Sequence, residues 1–154
     1  MKKVLFISST GGHLNELLQL KRTMKKYDSY LITEKTKSTI GLKEEFSKIN
    51  YLKYGTKSHL SYVYIFPWNS IKSIYYFFKI RPDVVVTTGA HTAVVMCYIA
   101  KLFRKKIIYI ETFANISSKS MSGRLVYPIA DMFIVQWKNM LNLYPKAVYG
   151  GWIF

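Results

Sequence analysis

The chain has 154 residues, about the length of one domain, and its 23 Lys and Arg against 8 Asp and Glu give a formal net charge of +15. Half of its residues are hydrophobic, which excludes intrinsic disorder. The single cysteine, Cys97, excludes a disulfide scaffold and fits a reducing compartment. The apolar runs fall short of the ~20 residues of a membrane span, and the first predicted strand begins too close to Met1 for a signal peptide.

The positive charge is spread over both halves of the chain, which is typical of a folded domain that attracts a polyanion. Three ligand classes fit: nucleic acid, anionic lipid and phosphorylated small molecules. The sequence contains no zinc-finger spacing, RNP-type motif or helix-turn-helix pattern. We therefore expect no nucleic-acid partner and place the other two classes first.

Strand and helix patterns alternate along the chain and predict an α/β, Rossmann-like, doubly wound parallel sheet over residues 1–148. The predicted strands cover residues 4–8, 30–33, 51–54, 83–88, 107–110 and 132–135. The predicted helices cover residues 13–26, 69–80 and 92–103, and residues 34–48 are expected to be charged and exposed. The β-branched run at 83–88 is typical of a strand that is buried on both faces.

Three loops follow predicted strands, and in such sheets the ligand crevice lies beyond the carboxyl ends of the strands. Gly11, Gly12 and His13 follow the first strand, Gly89 and His91 follow the strand at 83–88, and Glu111 follows the strand at 107–110. We expect all three loops to converge on one edge of the sheet.

Gly11 and Gly12 allow a ligand to approach the backbone, and a helix N-terminus offers free N–H groups to a phosphate; the same glycines also suit a tight turn. His13 could act as a general base near neutral pH, or could be a solvated cap. His91 follows Gly89 in the same way, so two Gly-to-His turns face one crevice.

Glu111 could orient a hydroxyl or pair with a base, and could equally cap the next segment. Two histidines and one carboxylate show no known metal-ligand spacing, so no metal site is expected.

Residues 60–80 are rich in aromatic side chains, and Pro67 is expected to break the segment so that Asn69 caps a helix. The predicted core stripe comprises Ile71, Ile74, Tyr75 and Phe78. Aromatic and basic residues remain on a second face, which suits a helix lying flat in a membrane interface or one covered by a partner. The predicted membrane contacts are Trp68, Lys72, Tyr76, Phe77 and Lys79.

Three segments resemble the acceptor-side subunit of split GT-B glycosyltransferases: the GGH turn, RPDVVVTTGAH at 81–91, and residues 105–137. The best-known eukaryotic member of that family is the membrane-anchoring subunit of a two-subunit UDP-GlcNAc transferase acting on dolichol-diphosphate-GlcNAc. Bacterial capsule and exopolysaccharide loci encode similar proteins. More distantly, the chain is similar to the N-terminal domain of the single-chain transferase that forms lipid II.

The resemblance implies the N-terminal half of a GT-B architecture, which holds a polyprenyl-diphosphate-linked sugar and the membrane while a separate subunit binds the UDP-sugar. We expect inverting transfer without metal or cofactor, at the cytoplasmic face of the plasma membrane. The resemblance places Gly11, Gly12 and His13 at the mouth that holds the acceptor and its diphosphate, Gly89 in the second turn, and Glu111 in the family's acid-aromatic segment. Our own expectation is that His13 is the base with Glu111 assisting, and that His91 also lies at the acceptor.

A GT-B enzyme needs two Rossmann domains and 154 residues supply one, so we expect little activity without the partner. The tail at 149–154 is either a docking element, through Trp152, Ile153 and Phe154, or a frayed end. Two other functions stay open: a membrane scaffold that takes no part in the chemistry, and a complete small enzyme.

Overall fold

A parallel β-sheet runs through the chain. The computed structural model describes residues 1–55 and 59–153, and for residues 59–62 the backbone alone. Seven strands are present within these ranges: β1 (Lys3–Ser8), β2 (Asp28–Lys35), β3 (Ile49–Lys53), β4 (Val84–Gly89), β5 (Lys106–Ile110), β6 (Met132–Val135) and β7 (Val148–Tyr149). They pair in parallel in the order β3-β2-β1-β4-β5-β6-β7.

Helices cover both faces of the sheet. They are α1 (Gly12–Leu18), α2 (Lys21–Met24), α3 (Leu42–Glu45), α4 (His59–Ile80), α5 (His91–Leu102), α6 (Met121–Val126) and a 3-10 helix, Lys138–Asn142. Side chains alternate across each strand, so Phe6 of β1 packs with Leu17 of α1, whereas Ile7 faces the cluster that contains Met96 of α5. The predicted doubly wound α/β fold is confirmed.

The strand order places a crevice at one particular point. β1 pairs with β2 on one side and with β4 on the other, so the connections that follow β1 and β4 run in opposite directions along the sheet. Ligands of doubly wound sheets bind at such a switch point, outside the carboxyl ends of the strands. The loops after β1 and β4 therefore form the natural walls of a site.

Two segments near the N-terminus differ from the prediction. The helix expected at 13–26 is interrupted after Leu18, where the N–H groups of Gln19 and Leu20 each donate at 3.1 Å to the carbonyl oxygen three residues earlier. The stretch expected to be exposed begins with Glu34, which belongs to β2 and is 2% exposed. Thr39 is also buried, and its hydroxyl donates to the Glu34 carbonyl oxygen at 2.7 Å.

Helix α4 continues through Pro67 and buries the side opposite to the one that its apolar pattern predicts. Pro67 is exposed, so water can satisfy the carbonyl that loses its N–H donor. Every member of the predicted core stripe is exposed: Ile71, Ile74, Tyr75 and Phe78. The buried positions are Asn69, Ser73, Phe77 and Ile80, which recur at helical spacing.

The reversal of α4 overturns one predicted membrane contact, and the others stay predictions. Phe77 is 3% exposed and its ring lies 5.3 Å from that of Phe103, so its predicted contact with a membrane is wrong. Tyr76 is half-buried, and its hydroxyl donates to the Tyr51 carbonyl oxygen at 3.3 Å. Trp68 and Lys79 are exposed, and Lys72 is half-buried.

Asn69 explains why α4 turns a polar side inward. Its Oδ1 accepts the Lys53 N–H at 2.9 Å, and its Nδ2 donates to the Lys53 carbonyl oxygen at 2.8 Å. One side chain thereby holds the helix against the last residue of β3. An apolar stripe could not supply these two bonds.

Two further findings concern the membrane and the tail. Within the described ranges, no helix combines the length and the apolar character required to cross a bilayer. The expected boundary at 148/149 falls inside β7, where Tyr149 pairs with Val135. The sheet therefore reaches into the segment that was expected to be a tail.

The substitution Asn69→Ala should lower the free energy of unfolding by about 1–2 kcal/mol, because the Lys53 N–H and carbonyl groups lose their partner. Urea denaturation followed by circular dichroism measures the change. The matched control on the same helix is Ile71→Ala, which removes a side chain that is 64% exposed and should change the free energy by less than about 0.5 kcal/mol. Equal midpoints for the two variants would contradict the anchoring role of Asn69.

Candidate functional site

The first glycine turn lies beyond β1 and is open on its outer side. Gly11 has a φ of +87°, in the left-handed region that glycine alone adopts without strain, and the chain enters α1 at Gly12. Among the described residues, no non-neighbouring atom lies within 4 Å of the place where a Cβ of either glycine would sit. A ligand can therefore approach this backbone closely.

His13 is held by two reciprocal hydrogen bonds to Thr88 of β4. Its ring Nδ1 lies 2.8 Å from the Thr88 carbonyl oxygen, and the Thr88 hydroxyl donates to the His13 carbonyl oxygen at 2.6 Å. Because a carbonyl oxygen only accepts, Nδ1 carries the proton and the neutral ring keeps its lone pair on Nε2. The half-buried side chain is thus prepared to accept a proton.

The second glycine turn packs against His13. Gly89 ends β4 with a φ of +101°, and its N–H donates to the Thr87 hydroxyl at 2.9 Å. A Cβ at this position would lie 3.1 Å from the hydroxyl oxygens of Tyr109 and Ser122 and 3.4 Å from Cε1 of His13. The two turns therefore converge as expected, and position 89 has little room for a larger side chain.

His91, the first residue of α5, faces the buried carboxylate of Glu34. Glu34 Oε1 lies 3.6 Å from His91 Nε2, and Oε2 accepts the Thr10 N–H at 3.2 Å. Burial raises the pKa of Glu34, although the Thr10 N–H opposes the change. Burial also lowers the pKa of His91, and the nearby His13 lowers it further. Both shifts favour the uncharged forms, so the contact orients the side chains without forming a strong ion pair.

Glu111 lies beyond β5, and its carboxylate is enclosed by protein donors. The residue is 1% exposed; Oε1 accepts the Thr112 N–H at 3.1 Å, and Oε2 accepts the hydroxyls of Ser120 at 3.0 Å and Tyr144 at 2.8 Å. Ser120 is the N-cap of α6, so Glu111 positions that helix. Its assistance to a base at position 13 stays a prediction.

A chain of hydroxyl groups connects Glu111 to the second glycine turn. Ser120 Oγ, which donates to Glu111, lies 3.4 Å from the Tyr109 hydroxyl oxygen, and that oxygen lies 2.8 Å from Ser122 Oγ. Burial raises the pKa of Tyr109, so its hydroxyl remains protonated at neutral pH. The hydroxyls of Tyr109 and Ser122 border Gly89, so Glu111 supports this turn indirectly.

Glu16 is a further buried carboxylate, on the helix that carries His13. Oε1 accepts the Thr112 hydroxyl at 2.7 Å and the Phe113 N–H at 3.2 Å, and Oε2 accepts an N–H of the Gln136 amide at 3.1 Å. These bonds fasten α1 to the segments that follow β5 and β6. The position of His13 therefore depends on Glu16 as well as on its own contacts.

The expected docking tail folds back onto this network. Gln136 Oε1 accepts the Ile153 N–H at 3.2 Å, and Ile153 packs against the core. Trp152 is 60% exposed, and its ring lies 5.3 Å from that of Phe113. Phe154 lies outside the described residues. Ile153 is therefore part of the chain's own fold, whereas Trp152 is accessible.

Sequence reasoning missed Glu16, Glu34 and Gln136. The last two directly follow predicted strands, so the rule that selected the other loops would have found both. No sequence signal of this kind marks Glu16. It does not follow a strand, and at two residues after Leu14 it does not belong to the apolar stripe of the helix.

The substitution Glu111→Gln should destabilise the chain, because an amide cannot accept hydrogen bonds from all three donors around this carboxylate. We expect the free energy of unfolding to fall by about 1–3 kcal/mol in urea denaturation. Glu44→Gln, on an exposed turn of α3, is the matched control and should change it by less than about 0.5 kcal/mol. A Glu111→Gln protein as stable as this control would contradict the structural role.

The fold is similar to those of solved structures of MurG and of UDP-N-acetylglucosamine 2-epimerase. MurG from Acinetobacter baumannii matches with a TM-score of 0.70 at 15% identity, over 90% of this chain and 43% of that one. UDP-N-acetylglucosamine 2-epimerase from Rickettsia bellii matches with a TM-score of 0.74 at 16% identity, over 99% of this chain and 45% of that one. The chain spans less than half the length of either structure, and at these identities the likeness shows the fold alone.

Relatives of comparable length come from eukaryotes. The UDP-N-acetylglucosamine transferase subunit alg14 of Schizosaccharomyces pombe is 31% identical over 97% of this chain and 82% of its own length. The ALG14 subunit of Mus musculus is 30% identical, with the same 97% and 82% covered. The family model described as "Oligosaccharide biosynthesis protein Alg14 like" matches residues 4–153. The chain therefore belongs to the Alg14 family.

Proposed function

We propose that the chain is the acceptor-binding subunit of a two-component glycosyltransferase. The enzyme moves a sugar from a UDP-sugar to an undecaprenyl-diphosphate-linked saccharide in bacterial capsule or exopolysaccharide synthesis. The observation that carries the proposal is the fixed tautomer of His13, whose Nε2 lone pair lies where two glycine turns meet. Relatives named as UDP-N-acetylglucosamine transferase subunits support the reaction class.

In the proposed reaction, the acceptor hydroxyl donates its hydrogen bond to His13 Nε2 and transfers its proton there as it attacks the anomeric carbon of the donor sugar. A bond forms between the acceptor oxygen and that carbon, and the bond from the carbon to the UDP oxygen breaks on the opposite side. The anomeric configuration is inverted. The glycine turns leave room for the acceptor head group, and no metal or cofactor takes part.

A second subunit completes the proposed enzyme by binding the UDP-sugar. A single Rossmann-like sheet matches 43% of the length of MurG, so a partner of the C-terminal GT-B type would supply the remainder. The aromatic cluster of Phe113, Trp137 and Trp152, in which Trp152 is exposed and the other two are half-buried, suits a contact with such a partner, because aromatic side chains are enriched in the cores of interfaces.

The exposed side of α4 fits peripheral attachment to the cytoplasmic face of the membrane. We call it the apolar face of α4; its members are Val63, Ile71, Ile74, Tyr75 and Phe78. Trp68, Lys72 and Lys79 flank it, and a helix with this arrangement lies flat in an anionic interface. The net charge of +15 adds a long-range attraction to the same surface.

The chain alone should show little or no transferase activity, and activity should appear on addition of the donor-binding subunit. In that complex, His13→Ala should lower kcat/KM by about 10²-fold or more, the usual contribution of a general base. Turnover is measured with a polyprenyl-diphosphate-linked acceptor and a radiolabelled UDP-sugar.

Gln19→Ala is the matched control for His13→Ala, because Gln19 is exposed just beyond α1; it should leave turnover unchanged. Full activity of the His13→Ala complex would point instead to a scaffold that takes no part in the chemistry. Robust turnover by the isolated chain would show a complete small enzyme. Either result would overturn the proposed function.

Membrane binding should depend on the apolar face of α4. The double substitution Ile71→Ser and Ile74→Ser should weaken binding to phosphatidylglycerol vesicles by about tenfold or more, since burying one isoleucine contributes about 1.5–3 kcal/mol. The control pair, Ile40→Ser and Ile116→Ser, removes two isoleucines of similar exposure elsewhere. Vesicle co-sedimentation measures both, and equal losses would count against this face.

A further inference from the structure

A basic groove lies beside the first glycine turn, next to the ends of β2 and β3. It consists of two adjoining clefts, of about 640 and 560 Å³, whose walls share Lys35 and Tyr54. Thr10 and Gly11 line its inner end. The lysines of the basic groove are Lys35, Lys37, Lys43, Lys53 and Lys72.

The sheet itself places two of these lysines side by side. Lys35 and Lys53 are the last residues of β2 and β3, and their Cα atoms are partners in the strand register. The carboxyl edge of a parallel sheet is where ligands of this fold bind. The basic groove therefore extends the crevice of His13 towards the outer strand.

Among the described residues, no carboxylate compensates the charge of the groove. No carboxylate lines either cleft, and within the described residues none of the five lysines forms an ion pair. Elsewhere Lys21, Lys48 and Lys106 each pair with a carboxylate. The ammonium groups of Lys53 and Lys72 lie instead 4.8 and 5.9 Å from the ring centre of Trp68. An anion bound here would relieve the mutual repulsion of the lysines.

The two ends of the groove indicate what is attached to that anion. At the outer end, Lys72 and Trp68 border the apolar face of α4. At the inner end, Gly11 precedes the turn that carries His13. A ligand along the groove would thus be anionic in its middle, apolar at one end and reactive at the other. A diphosphate esterified to a lipid on one side and to a sugar on the other has this order.

We propose that the basic groove binds the diphosphate of a lipid-linked ligand, with the lipid leaving over α4 and the sugar at the glycine turn. The placement of the sugar at the glycine turn rests on the proposed function. Lysine binds phosphate as a point charge, whereas the N–H groups of Ser9 and Thr10 already donate to the Gly89 carbonyl and the Glu34 carboxylate. In this arrangement the lysines hold the phosphates, and the glycine turn lies against the sugar.

The test compares binding of the chain to three kinds of probe. Phosphatidylcholine vesicles carry either a polyprenyl diphosphate or phosphatidylglycerol at the same surface charge, and inorganic pyrophosphate is the free competitor. The double substitution Lys35→Ala and Lys53→Ala should weaken binding to the diphosphate vesicles by about tenfold or more, as expected for loss of charge-assisted hydrogen bonds. Lys35→Arg with Lys53→Arg should retain binding to within about threefold.

The control variant removes the same charge elsewhere. Lys26→Ala with Lys146→Ala changes two exposed lysines outside the groove and should weaken binding to both vesicle types equally, by less than about threefold. Circular dichroism and thermal melting verify that each variant is folded. Equal losses in the groove and control variants would overturn the proposal, because they would show attraction by net charge alone. Tighter binding of free pyrophosphate than of the diphosphate vesicles would overturn the lipid-linked assignment.

These binding measurements require no turnover, so they separate the groove from the proposed reaction. Specific diphosphate binding by a chain that forms no active complex would support the groove and count against the transferase. Full transferase activity and undiminished diphosphate binding in the Lys35→Ala, Lys53→Ala variant would support the transferase and overturn the groove.

Discussion

The two hydrogen bonds exchanged between His13 and Thr88 are the constraint on which the geometry of the site depends. They join the first turn of α1 to the end of β4, so the loops that leave the two central strands are held as one unit. The same contact selects the tautomer of His13 and brings its ring against Gly89. The orientation of the His13 ring, its tautomer and the convergence of the two glycine turns thus have a single physical origin.

Buried carboxylates extend this constraint to the surrounding loops. Glu16, Glu34 and Glu111 are each buried, and each accepts hydrogen bonds from the segment that follows a neighbouring strand or turn. Four other acidic residues form ion pairs with lysines outside the basic groove: Asp28, Glu45, Asp83 and Asp131. The chain has only 8 acidic residues, so this use leaves few carboxylates to offset the lysines beside the crevice. That region is basic because most of the carboxylates of the chain are buried or paired elsewhere.

Six of the seven strands in the described ranges and the positions of the strand-end loops could be predicted because their signals are local, whereas the two-residue strand β7 was missed. The valines of β4 are β-branched and uniformly apolar, and the glycines at 11 and 89 lie at positive φ, where other residues are strained. The orientation of α4 could not be predicted in this way. Its more apolar side faces outward, and Asn69 faces inward because the backbone of Lys53 needs a partner. Such a pairing across 16 residues leaves no periodic signal in the sequence.

The buried role of Glu111 is invisible in the sequence for a related reason. A carboxylate at a strand end is equally compatible with catalysis and with structure, and the difference lies in which donors surround it. Ser120 and Tyr144 come from segments 9 and 33 residues further along the chain. Their arrival at one carboxylate is a property of the folded chain.

The contacts of α4 with β3 also protect the rim of the sheet. β3 is the outermost strand on its side, and an uncovered outer strand offers N–H and carbonyl groups to which a foreign strand can add. Asn69 occupies both groups of Lys53, and the Tyr76 hydroxyl occupies the carbonyl of Tyr51. Side chains of one helix thereby imitate a neighbouring strand, which shields the sheet from edge-to-edge aggregation while the other side of that helix stays free.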